Sequence, residues 1–101
     1  MIVRSEKPDQ SSLILFLSGR LDTVTSSTLE QKFNELIDGT LGIIFDLKEL
    51  SYISSSGLHL FLQVQRTMSA NNRRLVVRNA TGSVKDVFFM TGFNRIITLE
   101  E

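Results

Sequence analysis

The sequence predicts a single α/β domain with a mixed, mostly parallel sheet and packed helices. Its 101 residues correspond to one domain, since domains commonly contain about 100 to 150 residues. Segments with strand-like and helix-like patterns alternate in the order ββαβαβαβ. Strands joined through single helices favour right-handed crossovers and parallel pairing, whereas the first two strands, joined by a short turn, favour an antiparallel hairpin at one edge. We therefore expect one domain over residues 1–101.

Eight segments carry these patterns, in the order just given: residues 2–5, 13–18, 25–37, 41–47, 56–71, 74–77, 83–90 and 96–99. In the first helix, Ser27 and Glu30 have the spacing of a capping box. Segment 41–47 is a short apolar run rich in β-branched and aromatic residues, which predicts a central strand covered on both faces. Pro8, Asp9 and two serines between the first two strands predict the hairpin turn.

Composition excludes several classes of protein. Eleven basic residues balance eleven acidic ones, whereas proteins that bind nucleic acid through its phosphates concentrate positive charge, so we expect no nucleic-acid partner. The absence of cysteine excludes disulfides and a cysteine nucleophile. No apolar run approaches the ~20 residues of a membrane span, and the amino terminus lacks the pattern of a signal peptide. We therefore expect a cytoplasmic protein that does not insert into membranes.

The most unusual local sequence is Y-I-S-S-S-G-L, which contains Ser54, Ser55 and Ser56. It follows the predicted central strand and opens the second helix. In parallel α/β proteins such strand ends face a crevice, and the free N–H groups of a helix start favour an anion or a phosphoryl group. Serine is also among the best residues for capping a helix start. Both interpretations, a functional site and a simple cap, fit this segment.

A small hydrolase or a nucleotide-binding protein is the competing hypothesis for the serine segment. A serine nucleophile needs a base, and the single histidine, His59, lies four residues after Ser55 on the same predicted helix, which is a poor geometry for a triad. The chain has neither a G-x-S-x-G turn nor a glycine-rich phosphate loop. One histidine and scattered acidic residues form no metal-ligand pattern. We expect no enzymatic activity, no metal and no cofactor.

Four segments occur in a characteristic order: G-R-L-D at residues 19–22, I-I-F-D-L-K-E-L at 43–50, Y-I-S-S-S-G-L at 52–58 and M-T-G-F at 90–93. Together they resemble the STAS domain, the fold of bacterial anti-sigma-factor antagonists. The resemblance covers essentially the whole chain and implies a single STAS-like domain.

The resemblance implies a phosphorylation switch. The family's phosphorylated residue is the first serine of a D-S-S-G stretch, which falls on Ser55. Ser54 stands in place of the acid, so Ser54 and Ser56 remain alternative acceptors. The implied partner is an anti-sigma factor with serine kinase activity, and a serine phosphatase is a further implied partner; through them the chain would regulate sigma-factor-dependent transcription. A constitutive STAS subunit of a signalling complex or of a transporter assembly is the alternative.

The resemblance also implies a partner-binding surface, made of Asp22, Ser54, Ser56, Gly57, His59 and Leu60. Asp22 falls on a partner-contacting acid of the family, and capping of the first helix is its alternative role. His59 stands where the family usually has glycine, so it adds bulk towards a partner. Leu60 belongs to a second apolar stripe of the helix, for which burial in the core is the alternative.

Overall fold

The computed structural model describes residues 1–100. Along the chain its elements are β1 (Ile2–Asp9), β2 (Ser12–Leu21), α1 (Thr23–Leu36), β3 (Gly42–Ile53), α2 (Ser55–Ala70), β4 (Arg74–Arg78), α3 (Gly82–Met90), a 3-10 helix (Phe93–Arg95) and β5 (Thr98–Glu100). The sheet has the order β1-β2-β3-β4-β5. Strand β1 is antiparallel to β2, and the other pairs are parallel. The predicted fold class, the edge hairpin and the central position of β3 are confirmed.

The strands of the hairpin and β3 are longer than the sequence pattern predicts. Strand β1 continues to Asp9 past Pro8, which an edge strand tolerates because its outer N–H groups need no partner. The register shifts between Glu6 and Asp9, as at a β-bulge. Strand β3 continues beyond the predicted end at residue 47 to Ile53. Exposed Lys48 and Glu49 interrupt the apolar pattern there, so the sequence pattern does not predict the second half of the strand.

Helix α1 begins two residues earlier than predicted, and its capping box is a different one. Asp22 is the N-cap, and its Oδ1 accepts hydrogen bonds from the N–H groups of Val24 and Thr25, both at 3.0 Å. In return, the Thr25 hydroxyl oxygen accepts a 2.8 Å hydrogen bond from the Asp22 N–H. The predicted box at Ser27 is therefore wrong, because Ser27 already lies in the second turn. The alternative role of Asp22 as a helix cap is confirmed.

All three helices pack on one face of the sheet, which we call the helix face. The strand order follows the chain order without reversal, and right-handed crossovers that all advance in one direction place their helices on the same side. At its centre, the Phe45 and Phe61 rings meet edge-on with centroids 5.0 Å apart, and Phe88 lies 5.9 Å from Phe61. The prediction that residues 41–47 are covered on both faces is wrong, because within residues 1–100 no helix lies on the opposite side of the sheet.

The opposite side of the sheet, which we call the open face, carries a row of residues in cross-strand register. From β1 to β5 the row consists of Arg4, Phe16, Asp46, Arg78 and Glu100. The guanidinium carbon of Arg4 lies 4.4 Å from the centroid of the Phe16 ring, and that of Arg78 lies 6.0 Å from it. Both distances are those of cation–π contacts. Charged side chains thus shield an apolar ring where no helix covers it.

Asp46 is the buried centre of this row, with 6% of its surface exposed. Its Oδ2 accepts hydrogen bonds from Arg78 Nε and Nη2 and from Asn79 Nδ2, and its Oδ1 accepts one from the Lys48 N–H. Burial alone would raise the pKa of Asp46, but the Lys48 N–H and the Arg78 and Asn79 donors together hold it below the ordinary value of 3.8. The carboxylate therefore joins β3 to the end of β4 as a charged group.

Candidate functional site

The starts of α1 and α2 lie side by side, at the carboxyl ends of the neighbouring strands β2 and β3. The Ser54 N–H donates a 2.8 Å hydrogen bond to the carbonyl oxygen of Leu21, which fixes the two strand ends against each other. The hydroxyls of Thr23 and Ser56 then meet at 3.1 Å across the two helix starts. The sheet shows no reversal of strand order among the described residues, so the predicted crevice is replaced by a pair of adjacent helix starts.

The serines of the segment have different local roles. Ser54 has extended backbone angles and caps α2, since its hydroxyl oxygen accepts a 3.2 Å hydrogen bond from the Gly57 N–H. Ser56 is half-buried and bonded to Thr23. Ser55 is exposed, and within residues 1–100 its hydroxyl has no hydrogen bond. Of the three, Ser55 therefore presents the freest hydroxyl to a reactant in solution.

Gly57 packs tightly beneath the serines. A Cβ atom at this position would lie 2.8 Å from Leu21 Cγ and 2.9 Å from Ile53 Cγ1, which is too close for carbon atoms in contact. The absence of a side chain lets α2 approach β2 and β3 directly. Leu60 is also buried, with 5% of its surface exposed, so its alternative role in the core is confirmed. Both residues support the site from below, and their part in partner binding stays a prediction.

A groove of about 330 Å³ runs between α1 and α2 beside Ser55. Ser26, Ser27 and Glu30 of α1 line one wall, and Ser55 and His59 of α2 line the other. His59 is exposed, and its part in partner binding stays a prediction. Except for Glu30 and the imidazole, the lining carries no ionisable side chain among the described residues.

Sequence reasoning missed two residues of this region. Ser26 is 9% exposed, and its hydroxyl is buried without a hydrogen-bond partner among the described residues. The helical spacing of Ser26 with buried Leu29 and Phe33 is the signal that could have placed it on the inner side of α1. Val24, in the first turn of α1, is 78% exposed. An isolated valine carries no sequence signal that distinguishes a surface position from a core one.

Asp22 adds a fixed negative charge at the start of α1. The Thr25 N–H and hydroxyl and the Val24 N–H donate to its carboxylate, and they hold the pKa of Asp22 below its usual value although desolvation opposes them. The helix start further favours the charged form. Asp22 is half-exposed, so its carboxylate serves the cap while part of it faces solvent. Its contact with a partner stays a prediction.

The comparison with known families decides what kind of domain this is. The family model for the STAS domain matches residues 3–101. The chain belongs to the STAS family. Its similarity extends to an anti-sigma-B factor antagonist of Staphylococcus aureus, with 28% identity over 86 residues, which cover 84% of this chain and 80% of that protein.

Solved STAS structures share the fold. The unphosphorylated form of SpoIIAA, an anti-sigma factor antagonist, superposes with a TM-score of 0.84 at 24% identity and covers 97% of this chain and 87% of its own. SpoIIAA of Bacillus in the phosphorylated form gives 0.77 at 23% identity, covering 97% and 90%. The STAS domain of a SulP transporter from Vibrio cholerae gives 0.70 at 14% identity, covering 97% and 78%.

Only two of the four segments that resemble the STAS family meet at the site of this STAS domain. The G-R-L-D segment ends β2 and caps α1, and the serine segment starts α2. In the third segment Phe45 packs in the core of the helix face and Asp46 lies on the open face, and Gly92 follows α3 in a left-handed conformation with φ of 78°. Among residues 1–100, no three histidine or acidic side chains cluster as a metal would require. None of the described helices has the length and hydropathy of a membrane span.

Proposed function

We propose that this STAS protein is an anti-sigma-factor antagonist, switched by phosphorylation of Ser55. In its unmodified form it binds an anti-sigma factor that has serine kinase activity, and this sequestration frees a sigma factor for transcription. The anti-sigma-B factor antagonist from Staphylococcus aureus supports the class of partner. The solved unphosphorylated and phosphorylated forms of SpoIIAA support the kind of modification.

The exposure of Ser55 is the observation that carries this proposal. Ser54 uses its hydroxyl as the helix cap, and Ser56 uses its hydroxyl against Thr23. A kinase that modified either of them would first have to break a hydrogen bond that holds the helix starts. Ser55 is exposed and its hydroxyl is not needed by the fold, so it is the acceptor we favour over Ser54 and Ser56.

The chemistry is a phosphoryl transfer in which the Ser55 hydroxyl oxygen attacks the γ-phosphorus of ATP. The new O–P bond forms as the bond to ADP breaks, and the hydroxyl proton leaves to solvent or to a base of the kinase. The product adds about −1.5 to −2 charge at a surface of balanced charge. The positive end of the α2 dipole tolerates that charge. The fold therefore persists while the surface that meets the partner changes.

The proposed contact surface lies around the two helix starts. Asp22, Ser54, Ser56 and His59 form its polar part, and exposed Val24 adds an apolar contact. Gly57 and Leu60 act from below by fixing the position of α2. A serine phosphatase would hydrolyse the phosphoserine and return the chain to its binding form. In this cycle the chain is a cytoplasmic binding protein and a kinase substrate, without catalytic activity of its own.

A constitutive STAS subunit of a signalling complex or transporter assembly is the second candidate. The observation that favours it is His59, whose exposed imidazole lines the same groove as Ser55 and adds bulk to the surface around the proposed acceptor. A kinase active site that closes on Ser55 has to accommodate this ring. A partner that binds the groove permanently would not have to reach the hydroxyl.

The deciding experiment measures binding to the anti-sigma factors that are encoded in the same genome. Each purified candidate is titrated calorimetrically with the wild type, Ser55→Ala and Ser55→Asp, with and without ATP. We expect Ser55→Asp to weaken binding roughly a hundredfold, because a new negative charge in a close interface costs several kcal/mol. Ser55→Ala should bind in the presence of ATP as it does without it.

Phosphate mapping by mass spectrometry completes this experiment. We expect phosphate on Ser55 of the wild type, and Ser83→Ala, at the exposed start of α3, serves as the control that leaves phosphorylation unchanged. Full phosphorylation of Ser55→Ala would contradict the assignment of the acceptor. Equal affinities of Ser55→Ala and Ser55→Asp would favour the constitutive subunit.

A further inference from the structure

The groove between α1 and α2 contains an unsatisfied donor that the binding function described above does not use. The Ser26 hydroxyl is buried without a hydrogen-bond partner within residues 1–100, and Ser26 forms part of the groove wall. An unpaired buried hydroxyl is costly unless a ligand or another polar group satisfies it. The groove is therefore a candidate binding site for a group that accepts hydrogen bonds.

The opposite wall supplies a group that can carry positive charge. His59 follows Ser55 by four residues on α2, and side chains with this spacing lie next to each other on a helix surface. Both residues line the groove. An acceptor with negative charge, attached to Ser55, would thus lie between the Ser26 and Ser27 hydroxyls and the His59 imidazole.

We propose that the groove receives the phosphoryl group of phosphorylated Ser55, with the Ser26 hydroxyl and the protonated His59 imidazole as its donors. This inference rests on the proposed phosphorylation of Ser55 and adds a site in the same chain that reads the modification. A phosphoryl group adds one phosphorus and three oxygens, a volume of the order of two water molecules of about 30 Å³ each. The groove of about 330 Å³ accommodates it.

The charges that face His59 determine how the arrangement responds to pH. Glu30 lies across the groove from His59 on α1, Asp22 caps the start of that helix, and Arg66 follows His59 two turns later on α2. These groups are the same in both forms of the chain. The phosphoryl group at Ser55 is the only added charge, so a difference in the His59 titration between the two forms reports how close the phosphoryl group lies to His59. Glu30 has the same sign of charge as the phosphoryl group and opposes its entry into the groove, so the donors from Ser26 and His59 must outweigh this repulsion.

The proposal changes what phosphorylation does to the surface. A phosphoryl group that pointed into solvent would add charge alone. A phosphoryl group bound in the groove also links α1 to α2 and fills the space that a partner would meet. The modified chain should therefore be more stable than the unmodified chain, by an amount that depends on the Ser26 hydroxyl.

The test installs phosphoserine at Ser55 of the full chain during translation, so that it needs neither the kinase nor the partner. Because the chain contains one histidine, the imidazole resonances in a proton NMR titration report His59 alone. We expect phosphoserine at position 55 to move the midpoint of this titration upward by about one pH unit, as a nearby opposite charge does. Phosphoserine at Ser83, the exposed start of α3, is the matched control and should leave the midpoint unchanged.

Ser26→Ala provides the second measurement. In the unmodified chain we expect no loss of thermal stability, because the hydroxyl has no partner to lose; in the phosphorylated chain Ser26→Ala should remove part of the gain in melting temperature. An unchanged His59 midpoint, or an equal effect of Ser26→Ala in both forms, would overturn the proposal.

The third measurement tests whether the groove binds free phosphate. The unmodified chain is titrated in about 5 mM inorganic phosphate, where an untethered anion lacks the high effective concentration of an attached one. We expect no shift of the His59 midpoint. A shift as large as that caused by phosphoserine would mean that the groove binds free phosphate and does not require the group attached to Ser55. Failure of the proposed function is a separate outcome, since it appears only as unchanged affinity for the anti-sigma factor.

Discussion

The two faces of the sheet are built from the same strands and are stabilised by different forces. On the helix face, Phe45 is 1% exposed and packs edge-on against Phe61. On the open face, half-buried Phe16 lies beneath Arg4 and near Arg78, and Asp46 accepts three hydrogen bonds from Arg78 and Asn79 at the end of the neighbouring strand β4. Apolar burial stabilises the helix face, and on the open face a charged cross-strand row lies beside the buried apolar residues Ile14 and Val76.

The contrast between the two faces indicates where the protein tolerates a change without unfolding. The helix face positions the starts of α1 and α2 through contacts such as that of Gly57 with Leu21 and Ile53. The exposed Ser55 lies at the outer edge of that packed layer. A modification at Ser55 therefore acts on a rigid support, whereas a change beneath it would move the support itself.

Truncation of the two central phenylalanines should give the largest contrast between the faces. Phe45→Ala removes a fully buried ring, and we expect a loss of about 3 to 5 kcal/mol in the free energy of unfolding, from lost transfer energy and the cavity left behind. Phe16→Ala should cost about 1 kcal/mol, mainly through its cation–π contacts. Denaturant unfolding of both variants measures the contrast. Equal costs would mean that the open face is also covered, for example by a second copy of the chain.

Gly57→Ala should come next in size. The added methyl group would meet Leu21 Cγ at 2.8 Å and Ile53 Cγ1 at 2.9 Å, and overpacking of this kind costs about 1 to 3 kcal/mol. Alanine is the better helix former, so a neutral or stabilising result would show that α2 can shift away from the sheet. Thr67→Ala, on the exposed side of the same helix, is the matched control. Thermal unfolding of the two variants measures the difference in stability between them.

Asp46→Asn tests the open face through pH. At pH 7 the substitution should cost about 1 to 2 kcal/mol, because the charged acceptor of Arg78 and Asn79 is lost. The folded-state pKa of Asp46 lies below its ordinary value of 3.8, so its contribution is present above about pH 4 and is lost as the pH falls through the folded pKa. The stability difference between the wild type and Asp46→Asn should therefore shrink in acid.

The control for this pH series is Asp86→Asn, on the exposed surface of α3. Urea unfolding at several pH values between about 2.5 and 7 covers the window in which carboxyl groups titrate. A difference between the wild type and Asp46→Asn that stays constant over the whole series would show that the carboxylate does not contribute through its charge.

Ser55→Asp should have the smallest effect on stability. A carboxylate at a helix start is favourable by roughly 0.3 to 1 kcal/mol, and within residues 1–100 the serine hydroxyl that it replaces has no hydrogen bond. We expect a change of at most about 0.5 kcal/mol in either direction, measured by thermal unfolding. A loss of several kcal/mol would mean that the helix start requires the hydroxyl, and the variant would then be unsuitable as a mimic of phosphorylation.

The sequence predicts the element order and the position of the serine segment because both follow from local patterns. Apolar spacing indicates α2. A serine directly before an apolar helical pattern predicts an N-cap, because its hydroxyl can accept a hydrogen bond from a free N–H group of the first turn. The pattern fails where the backbone departs from regular pairing. Exposed Lys48 and Glu49 occupy consecutive positions of β3 beside a register shift, and a strict alternation of inner and outer residues does not include them.

Contacts between distant parts of the chain cannot be read from local patterns. Asp46 meets Arg78 and Asn79 across 32 and 33 residues, and their contact depends on the register of β3 against β4. The unpartnered hydroxyl of Ser26 is likewise a property of the packing between α1 and α2. Helical spacing places Ser26 on the inner side of its helix, but only the assembled groove shows that no partner reaches it.

The unbroken strand order has a consequence for how the chain folds. Each strand pairs with the strand that precedes it in sequence, so no strand has to wait for a later one to be inserted between it and its neighbour. Only the β1–β2 hairpin pairs residues close in sequence, whereas the parallel pairs, such as Leu13 with Ile43, each close a longer loop and form more slowly. The β1–β2 hairpin can form within microseconds, and each following helix and strand can add to the edge already present. We expect the chain to assemble progressively from its amino-terminal hairpin, with β5 as the last strand to join.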